Sequence, residues 1–138
     1  MGCTLMLIGE DFDIDKFIAK TNLTTFAKKY KGEPRITSKP NGYIMPNSSL
    51  SVAVSNADFH EFNKQVTETI DFIKINMQEF ELIKKTEGID FATLSFGINT
   101  LLDSEDSFVQ SSFFPPELMT LCGDLALSLE LSIYKKSR

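Results

Sequence analysis

The sequence predicts an α+β domain, with an antiparallel or mixed sheet of about five strands and helices packed mainly on one face. Apolar and polar residues alternate over 50–55, 92–98 and 125–134, the period of a strand with one buried face. Between Phe59 and Ile83, apolar residues recur every three or four positions, as in an amphipathic helix. With 138 residues, of which 42% are hydrophobic, the chain can bury one core, and we expect a single domain over 1–138.

The first elements are a strand and a short helix. Residues 3–8 are apolar or tolerated in strands and end at Gly9. Asp13 is the expected N-cap of a helix ending near Thr21, with Phe12 and Phe17 spaced as a hydrophobic staple. The 22–49 segment is rich in Lys, Gly, Pro, Asn and Ser, and its PNG sequence at 40–42 indicates a turn. Short edge-like strands are expected around 35–38 and 43–45.

A strand at 50–55 leads into the longest helical segment. Asp58 and Glu61 have capping-box spacing at its start, and Asn76 and Glu79 repeat that spacing. The segment is therefore either one helix or two helices that meet near Ile75.

The last third of the chain contains a strand, a long loop, a helix and a strand. The strand over 92–98 follows Gly88, and the Asp- and Ser-rich 99–112 segment is the loop. Pro115 and Pro116 suit a helix start, and Gly123 suits its stop. Leu118, Met119, Leu121 and Cys122 are the expected apolar face of that helix, and Leu125, Leu127, Leu129, Leu131 and Ile133 the expected buried face of the last strand.

Charge and apolar run lengths restrict the classes of partner. A formal charge of −5 and a pI near 4.9 disfavour nucleic acid, which is bound through clustered Lys and Arg, but would attract a basic protein. No apolar run approaches the ~20 residues of a membrane helix, and no basic flank precedes the first apolar run. We therefore expect a cytoplasmic protein with no membrane partner, in which Cys3 and Cys122 are reduced.

Three aspartates at alternate positions, Asp11, Asp13 and Asp15, resemble the start of a calcium loop. Such a loop needs Gly at its sixth position and Glu at its twelfth, where this chain has Lys16 and Asn22. The pattern favours a helix cap, and we expect no metal.

Histidine and cysteine are too few to indicate a catalytic site. His60 is the only histidine and has no Cys or His at ligand spacing, so we expect a surface side chain. A nucleophile and base pair formed with Cys3 or Cys122 is the alternative. No nucleotide-binding or hydrolase motif is present, so we assign no catalytic residue and no cofactor.

Two segments have the composition of a partner-binding surface. One is the basic 28–35 segment with Lys31 and Arg35; the alternative is a solvated loop. The other is the acidic and aromatic part of the 99–112 loop and the residues after it, where aromatic anchors inside a polar rim are typical of interfaces. The alternative, which the sequence favours, is that Phe108, Phe113 and Phe114 pack under the loop and cover the core. The candidate residues here are Asp103, Glu105, Asp106, Phe108 and Phe113.

The order of these features resembles a bacterial family, domain of unknown function 4279. The resemblance rests on GEDFDID at 9–15, KGEP at 31–34, LSVAVS at 50–55, FPPELM at 114–119 and LELSIY at 129–134. It spans nearly the whole chain, although tryptophans frequent in the family are replaced by Tyr30 and Tyr43. It implies a small bacterial cytoplasmic domain and brings no catalytic residues.

The sequence as a whole favours a non-catalytic protein-binding domain, such as an immunity-type inhibitor of a bacterial toxin, with a basic protein as its partner. The alternative is a small-ligand-binding regulatory domain, or an enzyme whose site assembles from scattered residues. Polar outer faces on three strands predict an open sheet face, which would also suit a homodimer, so monomer and homodimer both remain open.

Overall fold

The computed structural model describes residues 2–24, 27–102, 105–106 and 108–135. These residues form a five-stranded sheet of order β2-β3-β1-β4-β5, in which β4 and β5 are parallel and the other neighbours antiparallel. The predicted α+β class with a mixed sheet is therefore confirmed. The elements are β1 (Cys3–Gly9), α1 (Ile14–Lys20), β2 (Ala27–Lys29), β3 (Ser48–Ser55), α2 (Phe62–Ile75), α3 (Met77–Lys85), β4 (Phe91–Asn99), α4 (Pro116–Asp124) and β5 (Ser128–Tyr134).

One face of the sheet forms the floor of the hydrophobic core. Leu5 of β1 lies opposite Val52 of β3 and Leu94 of β4, and Leu94 lies opposite Leu129 of β5. Leu5, Val52 and Leu94 are fully buried, and residues of α1 to α4 complete the same hydrophobic cluster. Residues that alternate with them, such as Thr4, are half-buried on the outer face.

The start of α1 follows the sequence prediction. The Asp13 side chain accepts a hydrogen bond from the Lys16 amide at 3.1 Å, as an N-cap does. The rings of Phe12 and Phe17 meet edge to face with centroids 5.9 Å apart. The expected cap and staple are both confirmed.

The long helical segment breaks at Asn76, so the two-helix alternative is the correct one. The expected capping boxes are wrong, because neither N-cap, Glu61 for α2 nor Asn76 for α3, makes a side-chain cap bond. The side-chain amide of Asn76 donates instead to the Phe72 carbonyl at 2.9 Å. The side chain thus holds the end of α2 rather than the start of α3.

The 22–49 segment differs from the prediction. The strands expected around 35–38 and 43–45 are wrong: one isolated bridge joins Pro34 and Ile44. The edge strand is β2, which pairs with the first half of β3. All three residues of its sequence, AKK, are exposed, and they have no apolar alternation to indicate a strand.

The end of α4 also differs. Gly123 lies inside α4, and the left-handed residue after the helix is Ala126, with φ of 56°. Two apolar residues expected to be buried are more than half exposed, Met119 on α4 and Ile133 near the end of β5. Because β5 is an edge strand, no further strand of the described sheet covers its outer edge.

Candidate functional site

The two predicted partner-binding segments lie at opposite ends of the sheet. The Lys31 amide donates to the Ser48 hydroxyl at 3.0 Å, and Ser48 pairs with Gly9 where β1 ends. The second segment follows Asn99 of β4, and Phe96 pairs with Cys3 where β1 begins. A partner that contacted both segments would therefore have to extend along the length of the sheet.

The basic segment is held in place by its own contacts. Lys31 forms an exposed ion pair with Glu10 at 3.3 Å. The Arg35 amide donates to the Tyr43 carbonyl at 2.8 Å, and its carbonyl accepts from the Lys29 ammonium at 2.9 Å. These contacts account for the basic residues as parts of a solvated turn.

The second segment, which we call the 99–113 loop, connects β4 to α4. Two of its phenylalanines point to solvent: Phe108 is 90% exposed and Phe113 is 81% exposed. The expectation that they pack under the loop is therefore wrong for both. Glu105 and Asp106 are exposed in the same loop, whereas Asp103 lies outside the described residues.

The next residue, Phe114, behaves as the alternative predicted. Its ring packs edge to face on Phe62 of α2 and Phe96 of β4, with centroid separations of 5.4 and 5.2 Å. Phe114 thus fixes the end of the loop to the core, while its neighbour Phe113 is left outside.

Gln110 ties the loop to the end of β4. Its amide nitrogen donates to the Asn99 carbonyl at 3.0 Å, and its amide oxygen accepts from the Leu101 amide at 2.9 Å. The loop is therefore anchored at Gln110 and Phe114 on either side of Phe113.

A cleft of about 560 Å³ lies between this loop and the start of α2. The wall on the helix side is the turn that precedes α2, and the opposite wall is the loop. The polar and aromatic side chains that line it include His60, Glu61, Lys64, Asn99, Gln110 and Phe113.

An aromatic stack closes the outer face of the sheet beside the cleft. Phe59 and Tyr134 lie parallel, with ring centroids 5.0 Å apart and an interplanar angle of 14°. A Cβ on Gly97 would lie 2.8 Å from the Phe59 ring and 3.2 Å from that of Tyr134. Only glycine at this position leaves room for the stack.

The turn before α2 brings three polar side chains together. Donor atoms of Asp58, His60 and Glu61 lie within 4.8 Å of one another, and no other group of three or more His, Cys, Asp or Glu does so within 2–24, 27–102, 105–106 and 108–135. Cys and His spacing in the sequence does not indicate this set, because two of its three members are carboxylates beside the histidine. The DFHE sequence at 58–61 is the signal that could have indicated it.

The aspartates near the amino terminus have other roles. Asp13 caps α1, and Asp15 accepts a hydrogen bond from the Tyr30 hydroxyl at 2.8 Å, which raises the pKa of that tyrosine. Asp11 and Asp13 border a second groove of about 820 Å³ beside the end of α3, whose rim carries both acidic and lysine side chains.

The cysteines are unsuited to nucleophilic chemistry. Burial raises the pKa of Cys3 to about 12, and burial raises the pKa of Cys122 to about 11. Both are therefore neutral thiols at ordinary pH, whereas the thiolate is the nucleophile. His60 is exposed while both cysteines are buried in the core. The alternative of a Cys–His pair has no support.

No family model, no curated protein and no solved structure matches this chain. The resemblance to domain of unknown function 4279 therefore stays a prediction. In the part of the chain that the structure describes, no helix has the length and apolar content needed to cross a membrane. Any function proposed for the chain therefore depends on the geometry of the loop, the cleft and the turn before α2.

Proposed function

We propose that this chain is a non-catalytic protein-binding domain that takes a basic protein partner on the 99–113 loop. The observation that supports it is the exposure of the loop's large apolar side chains, which we call the loop patch. Its members are Leu101, Leu102, Phe108, Val109 and Phe113, each at least half exposed.

Exposed phenylalanines of this kind are suited to binding. Burial of one such side chain is worth roughly 1.5–3 kcal/mol, and interface energy concentrates in a few aromatic anchors. Phe113 is held between Gln110 and Phe114, so its backbone loses little freedom when a partner binds.

Charge favours a basic partner. The chain carries a net charge of −5, and the exposed Glu105 and Asp106 lie between Leu102 and Phe108 in the sequence of the loop. Complementary charge raises the association rate and excludes acidic partners. An immunity-type role, in which the loop covers a basic toxin surface, is the specific form of this function that we propose.

A pull-down with matched variants tests the proposal. The tagged domain, Phe108→Ser/Phe113→Ser and Phe91→Ser are each incubated with extract of the native cells. Phe91, which is 62% exposed, is a phenylalanine at the other end of the sheet. We expect the unmodified domain and Phe91→Ser to retain a basic protein in stoichiometric amount, and Phe108→Ser/Phe113→Ser to lose it.

Calorimetry with that purified protein then gives the affinity, which should fall with salt. Equal retention by all three baits, or retention of nothing, would overturn the proposal.

A second function, small-ligand binding, is favoured by the cleft between the loop and α2. Its volume of about 560 Å³ is in the range of ligand sites, and polar side chains converge on it. Saturation of the cleft by a small ligand would be detected as a rise in Tm that Phe108→Ser leaves unchanged.

A further inference from the structure

We propose that Asp58, His60 and Glu61 bind one divalent transition-metal ion of the Zn²⁺ class at the mouth of the cleft. Their donor atoms, an imidazole nitrogen and two carboxylate oxygens, lie within 4.8 Å of one another. Tetrahedral Zn²⁺ with ligands at about 2.0–2.2 Å places its donor atoms roughly 3.4 Å apart. Rotation of exposed side chains covers the difference. The inference is independent of protein binding by the loop.

The backbone beneath these side chains is held by groups that are not ligands. The Glu61 amide donates to the Asp58 carbonyl at 2.9 Å and closes the turn. The side-chain amide nitrogen of fully buried Gln65 donates to the same carbonyl at 2.9 Å. The Asn99 amide donates to the Phe59 carbonyl at 3.2 Å. The turn therefore keeps its shape without help from the three donor side chains.

The side chains of Asp58, His60 and Glu61 make few stabilising contacts of their own. Within the described residues, the one ion pair that they form is a long contact of 4.0 Å between Glu61 and Lys64. Glu61 is the N-cap residue of α2, yet its side chain makes no cap bond. Two carboxylates this close repel each other, and a cation between them would replace repulsion by attraction.

The donor set selects the class of ion. Imidazole nitrogen with carboxylate oxygen suits Zn²⁺ and its first-row neighbours, whereas Ca²⁺ and Mg²⁺ prefer oxygen alone. Three protein ligands leave at least one coordination position. That position is filled by water or by an oxygen of an anionic ligand, and His60 and Glu61 also line the cleft from which such a ligand would approach.

The single histidine makes a direct test practical. Untagged protein is titrated with Zn²⁺ while the imidazole proton resonances are followed by NMR, and the only histidine in the chain is His60. We expect a shift that saturates at one equivalent of Zn²⁺ and smaller effects of Mg²⁺. Unchanged imidazole resonances at one equivalent would overturn the proposal.

Calorimetry with variants separates the site from general surface binding. His60→Ala and Asp58→Asn should each weaken Zn²⁺ binding roughly tenfold or more. Asp71→Asn, an exposed aspartate on the helix that follows the turn, should leave it unchanged. Lys64→Ala should strengthen binding, because Lys64 competes for Glu61. Equal affinity in all variants would overturn the proposal.

Discussion

Glu79 of α3 and Thr21 after α1 are joined by a part-buried hydrogen bond of 2.8 Å between hydroxyl and carboxylate, and the same carboxylate oxygen accepts the Asn22 amide at 2.7 Å. Glu79 is only 9% exposed. One side chain therefore fixes the end of α1 against α3.

Glu79→Ala should lower the free energy of unfolding by about 1–3 kcal/mol, because the Thr21 hydroxyl and Asn22 amide lose their acceptor. Urea unfolding measures the change. Glu81→Ala, on the same helix but not in this contact, is the control and should shift it by under roughly 0.5 kcal/mol. An equal effect of both substitutions would contradict the role of Glu79.

Two glycine substitutions should have opposite signs. Gly97→Ala places a Cβ 2.8 Å from the Phe59 ring, so the stack on Tyr134 must shift, at a cost of about 1–3 kcal/mol. Gly123→Ala meets nothing within 4 Å inside α4 and should stabilise the protein by up to about 1 kcal/mol. Thermal unfolding measures both changes, and a Tm of Gly123→Ala below that of the unmodified protein would contradict the prediction.

Adjacent phenylalanines should differ in their contribution to stability. Phe114→Ala removes the ring between Phe62 and Phe96 and should cost about 2–3 kcal/mol, less than the roughly 3–5 kcal/mol of a fully buried phenylalanine. Phe113→Ala should change stability by under roughly 0.5 kcal/mol. Chemical denaturation of both variants tests the assignment, which fails if Phe113→Ala is the more destabilising.

Stability should fall at alkaline pH because of Cys3. Burial raises its pKa from 9.0 to about 12, so between these pH values the unfolded chain releases a thiol proton that the folded chain keeps. The free energy of unfolding therefore decreases as pH rises through that window, and the effect fades as pH falls below the unfolded-state pKa of 9.0. In urea unfolding from about pH 8 to about pH 10.5, the free energy of unfolding of Cys3→Ala should fall less steeply with pH than that of the unmodified protein. Identical slopes would show that the thiol is not the cause.

Local patterns were sufficient to predict most elements. The alternation around Leu94 and the cap at Asp13 involve neighbours in sequence, so their physical effect is local. Capping-box spacing left open one helix or two helices that meet near Ile75, and in the structure the side chains of Asn76 and Glu79 bind Phe72 and Thr21 rather than forming that box. The sequence could not decide between the two alternatives, because the partner of Glu79 is distant in sequence.

The candidate site was harder to predict. Nothing in the composition of 99–113 distinguishes Phe113, which is exposed, from Phe114, which packs on the core, because the difference depends on contacts with α2 and β4. His60 and its flanking carboxylates were visible in the sequence. Their convergence depends on the turn that Gln65 and Asn99 hold from other elements.

The parallel pairing of β4 and β5 decides where the two ends of the described fold emerge. Cys3 pairs with Phe96, and Phe96 with Leu131, so β1 begins at the end of the sheet where β5 finishes. One strand separates them, about 10 Å across two strand spacings. A short linker could join Gly2 to Tyr134, and new termini could be opened at the turn around Gly42. Gly2 and Tyr134 therefore lie at the same end of the sheet as the cleft, because Tyr134 stacks on Phe59 of the cleft wall.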